Sequence, residues 1–114
     1  MENIDLTYLN EISEGDSSFI REMLDLYIIT SALEVVQFDQ LLIEENYEAI
    51  GLLAHKMKAP IQMLGASNLF EILKTLEHDG KNKTNIETFQ NKINEVKVKI
   101  NELTNNIRAI LETM

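Results

Sequence analysis

The sequence predicts an all-α protein, an antiparallel up-and-down four-helix bundle with a short extra N-terminal helix. Three observations carry that expectation. Only one proline and four glycines occur in 114 residues, so little interrupts a helical backbone. No window alternates apolar and polar residues with the period of two that a half-buried strand needs. Apolar residues instead recur three and four apart along most of the chain. At 45% hydrophobic and 25% charged, residues 1–114 read as a single globular domain.

Each element has its own signals. A short first helix is expected over Leu6–Ile12. Gly15-Asp16-Ser17-Ser18 then supplies a break and an N-cap, where a side-chain oxygen satisfies free backbone donors. The next helix is expected from about residue 18 to about residue 44, with Phe19, Ile20, Met23, Leu24 and Tyr27 opening its apolar stripe and a bend near Thr30-Ser31. Asn46 caps a helix carrying Ile50, Leu53, Ala54, Met57, Ile61 and Leu64, and Gly65-Ala66-Ser67-Asn68 turns the chain. Leu69, Ile72, Leu73 and Leu76 mark a third bundle helix. His78-Asp79-Gly80-Lys81-Asn82-Lys83 reads as a loop, and Thr84 with Glu87 as a capping box. The last helix sets Ile86, Phe89, Ile93, Val96, Ile100, Leu103, Ile107 and Ile110 at spacings of three and four. The same pattern serves a coiled-coil dimer or an intramolecular bundle. Three other amphipathic segments in the chain favour the bundle, and with it a monomer.

Composition narrows the function. The chain has no cysteine, which removes disulfides and thiol chemistry and fits a reducing compartment. Its net charge of −9 divides into −11 over residues 1–54 and +2 over residues 55–114. Without a basic stripe, nucleic-acid binding is not expected. No apolar run approaches the roughly 20 residues that span a bilayer. Met1-Glu2-Asn3-Ile4-Asp5 lacks the basic and apolar regions of a signal peptide. The expectation is a cytoplasmic protein with no membrane partner, and the first methionine favours a complete small protein over a domain of a larger kinase.

The chemistry concentrates at Ala54-His55-Lys56-Met57-Lys58-Ala59-Pro60-Ile61-Gln62-Met63-Leu64-Gly65. At about 100° per residue, His55 falls about 140° from Ile50 and therefore off the buried stripe. Lys58 and Gln62 follow on the same side, while Leu52, Ala59 and Met63 fall on the solvent face. An apolar strip beside an accessible histidine is the pattern of a docking surface. The residues expected to meet a partner are Gly51, Leu52, Lys56, Ala59, Gln62 and Met63.

His55-Lys56-Met57-Lys58-Ala59 with Gly65 resembles the histidine-containing phosphotransfer family, whose pattern is His-x-Leu-Lys-Gly with a second glycine ten residues after the histidine. Met57 replaces the leucine, while Lys58 and Gly65 match. Glu77 stands where the family has a Glu or Gln that supports the histidine, Leu76-Glu77 matches the usual ending of that helix, and Gly15-Asp16 with Phe19 is similar to the family's second element. Ala59 departs from the usual glycine. Pro60 departs further, and a kink or loosening is expected one turn beyond His55 because proline lacks the N–H and crowds the carbonyl of Lys56.

The resemblance implies a phosphoryl carrier in two-component phosphorelays, not a stand-alone enzyme. His55 would be the phosphoacceptor, exchanging phosphate with aspartates of response-regulator receiver domains, and the partners would be such receivers and a hybrid histidine kinase. No cofactor of its own is implied; magnesium would belong to the partner receiver. The residues fit these roles. Glu77 lies 22 positions after His55 with Gly65-Ala66 midway, so reversal there gives two arms of about 15 Å and brings the side chains level. A carboxylate taking the Nδ1 proton leaves Nε2 as the nucleophile. Lys58, one turn on, can set a positive charge near the phosphoryl oxygens. A phosphotransfer-like bundle that binds a receiver or kinase without carrying phosphate is the alternative. A di-iron bundle is excluded because its Glu-x-x-His pairs are missing, with Leu52 and Thr75 three residues before the two histidines. Nucleotide enzymes are excluded by the lack of a Gly-rich phosphate loop.

Overall fold

The computed structural model describes residues 4–114, so Met1, Glu2 and Asn3, part of the stretch inspected for a signal peptide, lie outside the described residues. Six α-helices follow one another: α1 (Thr7–Ile12), α2 (Ser17–Val35), α3 (Gln37–Ile43), α4 (Tyr47–Met63), α5 (Ser67–Asn82) and α6 (Phe89–Glu112), with a 3-10 turn at Ile86–Thr88 before α6. No strand occurs among the described residues. The molecule measures 42 × 21 × 21 Å, and the 24 residues of α6 account for about 36 Å of the long dimension.

Four arms form the bundle: α2 continued by α3, then α4, α5 and α6. Antiparallel order shows in contacts at both ends. Arg21 near the start of α2 donates to the carbonyls of Leu111 (3.0 Å) and Met114 (3.2 Å), while Asp39 in α3 pairs with Lys97 in mid-α6 at 2.6 Å. The core is one apolar cluster that includes Leu24, Phe38, Ile50, Ile61, Leu69, Leu73, Leu76, Phe89, Ile93, Leu103 and Ile107, each almost fully buried. All six apolar residues named for the histidine helix are buried. The intramolecular bundle is thus how the three-four pattern of α6 is used; its terminal members Ile86 and Ile110 are only half-buried.

Local chemistry sets the ends. Asp16 accepts from the backbone N–H groups of Ser18 (3.0 Å) and Phe19 (3.3 Å) to start α2, and Asn46 accepts from Ala49 (3.2 Å) to start α4. Such caps satisfy donors that the helix itself leaves free.

Four boundary expectations are corrected. The second arm breaks at Val36, not near Thr30-Ser31; Ser31 is buried in an unbroken α2, its hydroxyl bonded to the Ile28 carbonyl at 3.3 Å. Of the stretch read as a loop, His78 to Lys83, all but the last residue belong to the end of α5, and Lys83 closes that helix with φ 53°. Gly80 lies there for close helix packing: a Cβ on it would come within 2.6 Å of the Tyr47 carbonyl oxygen and 2.7 Å of the Gly51 nitrogen. The Thr84–Glu87 capping box does not form, because the Thr84 hydroxyl donates to Asp79 Oδ1 at 3.1 Å instead and α6 begins only at Phe89. Finally, α4 continues without a break through Pro60 to Met63, so the expected loosening does not interrupt the helix.

The stretch Ser17–Ile43 also qualifies the membrane expectation. By length and composition it could cross a bilayer, with a mean hydropathy of 1.4 in its most apolar window. Glu34 and Asp39 interrupt that window, which is why no uninterrupted run stood out. The chain places Glu34 and Phe38 against the bundle and leaves Leu26, Ile29 and Leu33 exposed.

Candidate functional site

The site is built at the crossing of α4 and α5. Gly65 takes φ +69° at the turn between them, and the Asp5 backbone N–H donates to the Leu64 carbonyl at 2.8 Å, so the N-terminal segment closes over the reversal. At the other end Gly51 faces Gly80. A Cβ on Gly51 would lie 3.0 Å from the Glu77 carbonyl oxygen, so the two backbones approach as only glycines allow. Between these two points the helices hold His55 and Glu77 side by side.

His55 Nδ1 lies 2.6 Å from Glu77 Oε1, and the imidazole side chain is 65% exposed. The other carboxylate oxygen, Oε2, pairs with the ammonium of Lys58, whose side chain is only 21% exposed. Lys58 Nζ also sits 5.9 Å from the centre of the Phe70 ring, within range of a cation–π contact. The Glu77 carboxyl is held below the usual carboxylate range, first by the hydrogen bond from Lys58; burial opposes this, and the hydrogen bond from His55 with the charges of both partners adds to the lowering. An ionised carboxylate only accepts. Nδ1 therefore carries the shared proton, and in the neutral ring Nε2 keeps its lone pair.

The docking residues divide. Leu52 is 65% exposed; Ala59 and Gln62 are exposed and Met63 is half-buried beside them. Lys56 is exposed on the opposite flank from Lys58 and lies 3.8 Å from Glu34. Burial raises the Glu34 carboxyl, and Lys56 only partly offsets it. Gly51 is buried in the helix crossing and lines the groove beside His55, where it has no side chain to offer.

Two features escaped the sequence reading. First, the apolar face continues from α4 onto α2. Met23, Leu26 and Tyr27 join Ala59, Pro60 and Met63 around a recess of about 240 Å³. The signal was present, since Leu26, Ile29 and Leu33 share a spacing of three and four off the buried stripe of α2. Second, a groove of about 570 Å³ beside His55 is lined by Glu48, Gly51, Leu52, Glu77, Lys81 and Lys83. The two lysines were hidden by treating their segment as a loop. Among the described residues no three His, Cys, Asp or Glu side chains cluster so as to hold a metal ion.

No protein-family model matches the sequence, and no curated protein does. Among solved structures, the crystal structure of histidine-containing phosphotransfer protein B from Pseudomonas aeruginosa PAO1 is similar, with a TM-score of 0.88. The match covers 98% of this chain and 96% of that one at 16% sequence identity. The chain therefore has the all-α bundle fold of a histidine-containing phosphotransfer protein.

Proposed function

We propose that this chain is a phosphorelay carrier, one phosphotransfer domain in which His55 accepts a phosphoryl group from a receiver-domain aspartate and hands it to another. The observation that carries this reading is the exposed imidazole whose Nδ1 is held 2.6 Å from Glu77. The fold likeness and the His55-x-x-Lys58 pattern support it.

The transfer balances without an added base. The Nε2 lone pair attacks the phosphorus of an aspartyl phosphate, and the bond from phosphorus to the aspartate oxygen breaks with its electron pair returning to the carboxylate. Because Nδ1 already holds the only ring proton, no proton needs to leave. The product is a phosphorylated imidazolium whose charge is stabilised by Glu77. Return of the phosphoryl group to a second aspartate runs the same steps backwards. Such reactions depend mainly on positioning and charge stabilisation, so a carrier needs few groups of its own. Leu52, Ala59 and Met63, continued by Leu26, supply an apolar surface for the receiver, whose own magnesium would serve both directions. The work is that of a cytoplasmic carrier with no resident cofactor.

Incubating the full chain with a panel of phosphorylated receiver domains tests the reading. Acid-labile, base-stable label on the wild type and none on His55→Gln is the expected result. Binding to receivers with no label from any donor would refute it and leave the non-carrying bundle as the function.

A further inference from the structure

The groove beside His55 contains a positive charge that the histidine–carboxylate pairing does not use. Lys58 is committed to Glu77, half-buried, and packed on Phe70. Lys81 is different: it is exposed, lines the groove with His55, and its side chain makes no ion pair or hydrogen bond among the described residues.

Its position follows from the helix crossing. Lys81 is one turn beyond Glu77 on α5, and a Cβ on Gly51 would lie 3.2 Å from its backbone nitrogen. Side chains on a helix tilt toward its N-terminus. Lys81 therefore leans back along α5 toward the level of Glu77, which is also the level of His55. Its four-carbon stem matches the roughly 6 Å rise of one turn.

Charge balance needs such a group. A phosphoryl group on Nε2 adds close to two negative charges, of which the imidazolium ring, itself paired with Glu77, offsets at most one. It does so beside Glu77, already an anion, in a groove that Glu48, two turns before His55 on α4, also lines. The Lys58 charge is largely cancelled by Glu77. Resting on the phosphorelay reading of His55, we infer that Lys81 is the cation that neutralises the phosphoryl group on phosphorylated His55. It contacts the phosphoryl oxygens from the α5 side of the groove, while Lys58 fixes Glu77 and through it the ring. Lys83, at the left-handed residue ending α5, lies at the mouth of the same groove.

The test labels the full chain with phosphoramidate, a small donor that needs no receiver and so removes docking from the result. The ionisation of the phosphohistidine is then followed by phosphorus NMR across pH. In Lys81→Gln the phosphoryl group should hold its second proton to a pH higher by about half a unit, roughly a threefold change in ionisation constant for one lost cation near the surface. Lys81→Arg should restore the wild-type curve. A Lys81→Gln curve that overlays the wild type overturns the inference, as does an altered curve that arginine does not restore. If wild type and His55→Gln are equally unlabelled, the phosphorelay reading itself has failed, a result distinct from either.

Discussion

Adding one methyl group at Gly80 tests the whole arrangement, because the site depends on how closely α4 and α5 approach. In an ordinary helix interior Gly→Ala stabilises by up to about 1 kcal/mol through lower backbone entropy in the unfolded chain. Here the new Cβ would meet the Tyr47 carbonyl oxygen at 2.6 Å and the Gly51 nitrogen and Cα at 2.7 and 2.8 Å. All three are backbone atoms, so no side chain can swing aside. Restoring ordinary contact, which begins at 3.4 Å, means parting the helices by roughly 0.8 Å, and overpacking of this kind costs about 1–3 kcal/mol. Set against the propensity gain, Gly80→Ala should lose about 1–2 kcal/mol. For a domain of about this size that lowers Tm by about 5–15 °C. Thermal melts followed by circular dichroism would measure it. An unchanged or higher Tm would show that propensity alone governs the position and would remove the close crossing as the device that brings Glu77 to His55.

Three further outcomes are expected. Glu77→Ala should leave the melting curve near wild type but slow phosphotransfer about tenfold or more, since the ring loses its fixed tautomer; stopped transfer assays with a receiver would read this, and unchanged kinetics would count against an orienting role. Asp79 is buried, and burial alone would raise its carboxyl; hydrogen bonds from Lys92, His78, Asn85 and Thr84 outweigh that and hold it below its ordinary value. Its contribution is therefore present above the unfolded value near pH 4 and is lost as pH falls through the lowered folded value, and Asp79→Ala should cost about 2–3 kcal/mol at neutral pH in urea unfolding. Glu34 has the opposite sign. Its carboxyl is raised by burial, so the stability it contributes is full below the unfolded value and lost as pH rises through the folded one. Glu34→Gln should consequently raise Tm at pH 7 relative to wild type and leave it little changed near pH 4.

The bundle and the histidine helix were legible because they rest on local, periodic signals. Ile50 through Leu64 announce a buried stripe, and His55 stands off it by simple angular arithmetic. The counting of 22 residues about Gly65 found Glu77 because antiparallel helices share one rise per residue. The errors came where two distant segments decide a local structure. His78 to Asn82 contains Asp79, Gly80 and Asn82, all turn formers, and nothing local distinguishes a glycine that permits a turn from one that permits a helix crossing. Only the presence of Gly51 on α4 makes Gly80 helical in context. In the same way Thr84 is a fit cap for a following helix until Asp79 claims its hydroxyl. The buried polar end of the α2 stripe was missed for a different reason: Ser31 and Glu34 continue the stripe of Ile20, Leu24 and Tyr27 at the right spacing, but apolar periodicity does not register them.

The carboxylate of Glu77 explains why a single lysine one turn beyond the histidine is an incomplete account of the charge at this site. Its two oxygens serve two different partners, Oε1 the imidazole and Oε2 the ammonium of Lys58. Phosphorylation of His55 would make the ring cationic and so strengthen the first contact; it would give the second no reason to break, because Lys58 leaving Glu77 would strip a half-buried carboxylate of its principal partner. A Lys58 that stays on Glu77 keeps the ring aimed but contributes little net charge to the phosphoryl oxygens. The position of the Gly51–Gly80 crossing then has a second consequence. It sets the backbone of Lys81 against α4 one turn from His55, with the lysine lining the same groove. The close packing that lets a glutamate reach the histidine is thus the same packing that brings an uncommitted cation within reach of what the histidine would carry.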